Sequence, residues 1–106
     1  MKLTRESIIS MEPGRELDAL VAANVFGWHY GTYHPELRHY STDISAAWEV
    51  EEKMDTDELF WRYTNHVKKI LLQQREDGVN EYHLMHAPAD VRCKAALLAK
   101  LEADEE

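Results

Sequence analysis

Histidines, a thiol and crowded carboxylates are the groups from which metal sites and catalytic centres are built, and this sequence offers all three. Six histidines are present, with His29, His34 and His39 spaced by five residues and His83-x-x-His86 further on. A catalytic zinc site wants three convergent protein ligands. In extended chain, residues an odd number of positions apart face opposite ways, so His83 and His86 diverge unless the chain bends, and His29 and His34 diverge unless a hairpin at Pro35 brings His34 or His39 opposite His29; no His-Glu-x-x-His is present. Cys93 is the only cysteine, which excludes an intrachain disulfide and a multi-thiolate zinc site. It sits inside an apolar helical stretch with no histidine near it in sequence, and reads as a small hydrophobe, not a nucleophile. Carboxylates crowd at 49, 51, 52, 55, 57 and 58. A pair of them does acid–base work only when burial splits their pKa values, and most should be solvated. Phosphate-cradling glycine loops and the Gly-x-Ser-x-Gly elbow are missing. The expectation is a protein with no catalytic residues, no metal and no cofactor.

Binding is the better use of these side chains. From Asp43 to Glu58 there are seven acids, Asp43, Glu49, Glu51, Glu52, Asp55, Asp57 and Glu58, against Lys53 alone, a net of −6; from Arg62 to Arg75 the charges are all positive. A dense acidic face can imitate a nucleic-acid backbone and occupy the basic groove of a nucleic-acid-handling protein. Glu49, Glu52, Asp55 and Glu58 are the residues expected to carry it, against the plainer reading of a solvated helix face. An alternative ligand pocket combines Trp28, Tyr30, Tyr33, Tyr40 and Arg38, able to stack on bases and meet phosphates, with Glu51; the plainer reading of these aromatics is core packing. Helix N-termini near residues 13, 42 and 88, with Arg15 or Arg92 beside them, offer N–H groups to a small anion. Glu51 is the odd residue, because helical spacing puts it among Ile44, Ala47, Trp48 and Met54, a stripe expected to be core. A carboxylate there must find a cation or face a cleft.

The elements that must position these groups follow from punctuation and periodicity. At 106 residues the chain is expected to form one domain, 1–106. Its 44% apolar and 30% charged residues are globular proportions, and its net charge of −8 repels duplex nucleic acid. No apolar run approaches the roughly 18 residues of a membrane span, and Met1 to Glu6 leads into no signal-type stretch, so a cytoplasmic protein is expected. A short helix follows Thr4-x-x-Ser7. Helices are predicted at 13–26, stopped by Gly27, at 43–54, and from Asp57 to Gly78. Strands are predicted at 28–33, 37–40 and 79–86, and a last helix runs from Pro88 with Val91, Ala95, Leu98 and Leu101 inward. The acidic end, 101–106, reads as a frayed tail.

Several stretches carry a resemblance. Glu12-Pro13-Gly14-Arg15-Glu16-Leu17-Asp18-Ala19-Leu20-Val21-Ala22, Gly27-Trp28, Tyr40-Ser41-Thr42-Asp43-Ile44-Ser45-Ala46-Ala47-Trp48-Glu49-Val50 and Cys93-Lys94-Ala95-Ala96-Leu97-Leu98-Ala99 resemble the phage ABA-sandwich domain family. Lys94 and Glu51 depart from it, standing where its pattern has arginine and valine. The resemblance implies a phage or prophage origin and a sheet between helical layers; it implies no activity. The expected fold is α+β, a three-layer α/β/α sandwich with a small, mainly antiparallel sheet. The expected role is a phage accessory binding protein, non-enzymatic, that interferes with a host defence system by occupying a basic surface of a host protein, itself nucleic-acid-binding. The alternative is a sponge that sequesters a nucleotide signal, and the third reading is a small metal-dependent enzyme. Homo-oligomerisation stays open.

Overall fold

Thr4 and Ser7 cap one another, the Thr4 hydroxyl accepting from the Ser7 amide and the Ser7 hydroxyl from the Thr4 amide, and this starts α1 (Arg5–Ser10). The computed structural model describes residues 4–29, 31–74 and 78–105. Helix α2 (Arg15–Val21) continues into a π-helical turn, Ala22–Phe26, which ends where Gly27 adopts a φ of 76°. That left-handed backbone favours glycine. Pro13 precedes this helix instead of opening it. Asp43 accepts a hydrogen bond from the Ser45 amide (3.0 Å) and begins α3 (Ile44–Lys53). Then follow α4 (Asp57–Gln74), α5 (Glu81–Met85) and α6 (Ala89–Glu105).

The expected sheet is not there: no strand occurs among the described residues, and the α+β sandwich gives way to an all-helical fold. Residues 31–43 form a chain of tight turns, with His34 N–H donating to Gly31 O (3.0 Å) and Leu37 N–H to His34 O (3.1 Å). Amides used in such turns cannot form a ladder. Arg15 holds the loop, its guanidinium donating to Thr32 O (3.1 Å), His34 O (3.3 Å) and Leu37 O (2.9 Å). Tyr30, part of the first predicted strand, lies outside the described residues. The third predicted strand, 79–86, is α5: Asn80 accepts from the His83 amide (3.2 Å) and His83 Nδ1 from the Asn80 amide (3.1 Å). A reciprocal cap outweighs the strand-like alternation of the side chains.

Helix α6 is the centre of the molecule. Every residue from Val91 to Ala99 is buried, Arg92 and Lys94 included. A helix enclosed on most sides is mainly apolar, and a cation buried with it needs a partner: Lys94 Nζ donates to Ile9 O (3.2 Å). It packs against α4 most extensively, and also against α1, α2 and α3. It continues to Glu105, through most of the stretch expected to be an acidic tail, and Glu106 lies outside the described residues. On α3 the inward residues are Ala46, Ala47, Val50 and, at its end, Met54. The stripe is rotated from the expected one. Small side chains take the interior, while Ile44 and Trp48 face solvent, Trp48 with 54% of its surface exposed. Asp18, wholly buried on α2, ties that helix to the start of the 41–43 cap: its Oδ1 accepts from the Ser41 amide (2.8 Å) and hydroxyl (2.6 Å), and its Oδ2 from Arg15 (3.2 Å).

Candidate functional site

Glu51 finds its cation. The rotation of α3 moves it from the middle of the apolar face to its flank, where Oε1 accepts from Arg92 Nη1 (2.5 Å) and from the Tyr63 hydroxyl (2.9 Å). Arg92 is positioned by α6 and held by two further bonds, Nε to Ala87 O (3.0 Å) and Nη2 to Met85 O (2.7 Å). Burial, and next the Glu51 charge, push the Tyr63 phenol well above its ordinary range, so it remains a donor. Glu51 Oε2 is left without a hydrogen-bond partner among the described residues, on a side chain 36% exposed.

Above this floor opens a cleft of about 350 Å³ lined by Trp48 from α3, Phe60 and Thr64 from α4, Leu84 and Met85 from α5, and the Glu51–Arg92 pair. Trp48, Phe60 and Met85 are all exposed, Met85 with 74% of its surface. Ile44 lies one turn before Trp48 on the same face of α3, and Glu52 one turn after it. The arrangement is an apolar cluster around one unshared carboxylate oxygen. A larger hollow, about 500 Å³, covers the α1–α2 connection, but it is lined by Ser7 and residues 10–16 alone, and Arg15 among them is turned inward onto the 32–37 carbonyls.

The residues expected to form an acidic face are only partly free. Glu49 pairs with Arg38 (2.9 Å) and Glu58 with Arg62 (2.8 Å), while Glu52 and Asp55 are exposed with no ion pair among the described residues. The alternative pocket is not brought together. Tyr40 is core, stacked on Phe26 (5.2 Å), which stacks in turn on the half-exposed Trp28 (4.9 Å). Tyr33 projects into solvent with 95% of its surface exposed. Arg38 reaches Glu49, roughly 200° around α3 from Glu51, so these two members lie on opposite flanks of one helix. The N-terminal anion sites are not formed either, since Asp43 caps its own helix and Arg15 and Arg92 spend their donors on backbone carbonyls and on the Asp18 and Glu51 carboxylates.

Among the described residues no three of histidine, cysteine, aspartate and glutamate gather as metal ligands. His83 Nδ1 accepts from the Asn80 amide, and the His86 ring packs tilted against Tyr82 (4.3 Å between centroids). Cys93 is fully buried, and burial, with the Asp18 and Asp90 charges, pushes its thiol far above the ordinary range. One histidine escaped notice in the sequence. His66 is buried on α4, its Nε2 2.6 Å from Glu102 Oε1. Its position in the helical series Tyr63, His66, Val67, Ile70 is a signal that could have found it, because a polar residue on a buried stripe needs a partner.

The fold and the cleft define a small all-helical domain that presents an apolar, carboxylate-floored surface. The chain belongs to the Phage ABA sandwich domain family, which it matches over residues 19–97, and is thereby a phage-associated protein. The sandwich of the family's name is not what these residues form here. No curated protein and no solved structure matches the chain. No helix among the described residues is long and apolar enough to cross a membrane.

Proposed function

We propose that this phage-associated protein acts by binding and not by catalysis, and that its partner is a host protein with a basic, apolar-centred surface, most simply a component of nucleic-acid-targeting defence. The observation that supports this reading is the solvent-facing cluster of Trp48, Phe60 and Met85 around the cleft that Glu51 floors. Interfaces concentrate aromatic residues and methionine at their centres and polar groups at their rims, and exposed apolar clusters of this kind mark binding surfaces. The sign of the partner follows from charge. Glu52 borders Trp48, Asp55 lies just past α3, and the chain carries −8 overall, so a basic surface is steered toward it. Of the four acids expected to carry binding, Glu52 and Asp55 thus serve as the rim of an apolar centre, while Glu49 and Glu58 are held by Arg38 and Arg62.

The test is capture from host lysate by the wild type, by Trp48→Ser with Met85→Ser, and by Tyr33→Ser as an exposed aromatic control. The proposal expects one protein bound by the wild type and the control and lost from the double variant. Retention of that protein by the double variant overturns it. So does concentration-dependent self-association that the double variant abolishes, which would make a second copy the occupant.

A further inference from the structure

On the opposite flank of α4 from this cleft, α1, α4 and α6 enclose a second, smaller one of about 100 Å³, lined by Arg5, Ile9, His66, Lys69, Ile70, Gln73 and Leu98. His66, Lys69, Ile70 and Gln73 share one face of α4 by helical spacing, and Arg5 and Ile9 share one face of α1. The polar groups are therefore brought in by two helices over an apolar floor. His66 is the informative one. Its side chain is 4% exposed, and its Nε2 lies 2.6 Å from Glu102 Oε1; an ionised carboxylate only accepts, so Nε2 is the donor of this bond and Nδ1 is the ring nitrogen left for a ligand. Nδ1 has no hydrogen-bond partner among the described residues, on a ring that lines this cleft. Glu102 is already engaged, with Arg62 (3.8 Å) beside the oxygen that meets His66 and Arg5 (3.8 Å) beside the other. In a chain of net charge −8, Arg5, Lys69 and Arg62 gather here against Glu102 and against the Glu58 that pairs with Arg62, which leaves a small positive excess.

We infer that this cleft binds a phosphate group, with one proton shared between His66 Nδ1 and a phosphate oxygen and with Arg5, Lys69 and the Gln73 amide donating to the others. Size and chemistry both select the ligand. A volume of about 100 Å³ is the space of roughly three liquid waters, enough for a tetrahedral oxoanion and too small to enclose anything bulkier. Hydrogenphosphate matches the lone Nδ1 because it brings both a transferable proton and negative charge. Sulfate brings only the charge. Glu102 acts as a positioning residue, since it sets which ring nitrogen faces the cleft.

Inorganic phosphate is the probe, titrated at low ionic strength with chloride and sulfate at matched ionic strength as controls, and read by thermal unfolding and by the imidazole nitrogen NMR signals of His66. The expected result is a phosphate-specific rise in Tm with a shift of His66 Nδ1, and at least a tenfold weaker phosphate affinity in Arg5→Gln with Lys69→Gln. Both side chains are exposed, so this variant should fold as the wild type does. Adenosine 5′-monophosphate added in competition separates the two sources of the group: displacement at lower concentration than inorganic phosphate assigns the cleft to a phosphate ester, and displacement only at equal or higher concentration assigns it to the free anion. Stabilisation by sulfate equal to that by phosphate, an unmoved Nδ1 signal, or unchanged affinity in the double variant overturns the inference.

Discussion

Removing Arg92 should unfasten α5 and with it one wall of the larger cleft. In Arg92→Ala three bonds disappear, and they differ in weight. The Ala87 carbonyl belongs to a residue 2% exposed, so losing its donor leaves a buried acceptor unpaired, at about 1–3 kcal/mol. Met85 is largely exposed and its carbonyl can turn to water. Glu51 loses a charge-assisted bond but keeps Tyr63 and reaches solvent, which puts that loss at about 1.5–3 kcal/mol. Together with the packing of the arginine stem, the cost should be about 3–5 kcal/mol, the usual scale for breaking a largely buried pair. Glu51→Gln should cost far less, about 1 kcal/mol, because an amide oxygen still accepts from both Arg92 and Tyr63. Urea unfolding at constant m reads both values. Hydrogen exchange reads the location: the Leu84 and His86 amides, which donate within α5, should lose protection in Arg92→Ala and keep it in Glu51→Gln. If Arg92→Ala does not fold, Arg92→Lys, which restores one bond, should fold with a smaller loss. A cost below about 1 kcal/mol with α5 protection unchanged would refute the account of the cleft floor.

Tyr63 and Cys93 hold their protons in the folded state beyond the pH at which the unfolded chain releases them. Their contribution to stability is therefore complete below the ordinary values of 9.0 for the thiol and 10.0 for the phenol, and it falls above these by up to about 1.4 kcal/mol per pH unit for each group. Tyr63→Phe should flatten the part of the denaturation profile above pH 10.0. Trp48→Ala, at a half-exposed site, should cost less than about 2 kcal/mol, well under the roughly 3–5 of a buried aromatic, while abolishing partner capture. Asp18→Asn turns a wholly buried acceptor of three bonds into one whose amide opposes Arg15, and should cost about 1.5–3 kcal/mol by urea unfolding. Glu52→Gln with Asp55→Asn should change stability by less than about 0.5 kcal/mol, yet slow association with the partner and flatten its salt dependence in stopped-flow or surface-based kinetics.

Helix starts were legible because capping is local. Thr4 with Ser7, and Asp43 before Ile44, are readable from the side chains alone, and α3 begins one residue from the expected point. The 28–40 segment was not legible, because what decides it is distant in sequence. Its aromatic content favours a strand, but Arg15 gathers its carbonyls and Asp18 takes the Ser41 amide and hydroxyl, contacts spanning 17 to 23 residues. Helix register failed for a related reason. Periodicity shows a stripe, but Ile44 and Trp48 are as apolar as Ala46 and Val50, and only the neighbours decide which set faces inward. Glu51 was conspicuous as a charge among apolar residues, whereas its partners Tyr63 and Arg92 lie 12 and 41 residues away and carry no local mark. The acidic rim was visible in part, since composition counts charges and does not show that Arg38 and Arg62 neutralise Glu49 and Glu58.

Both clefts are organised from the same helix. Arg92 near the start of α6 fixes Glu51 and the carbonyls around α5, and Glu102 near its end fixes His66 and stands beside Arg5 and Arg62. Ten residues at 1.5 Å each put these two anchors about 15 Å apart along the axis, beyond the reach of direct contact between their ligands. Between them runs the fully buried stretch Val91 to Ala99, the part of the molecule least free to move. Sites braced from a rigid element keep their geometry when surface loops shift. A protein partner on the Trp48 face and a phosphate group at His66 are thus compatible on one molecule. Two helices join them: α6, through Arg92 and Glu102, and α4, which supplies Tyr63 and Phe60 to one cleft and His66 and Lys69 to the other, so any coupling between the sites has both as routes.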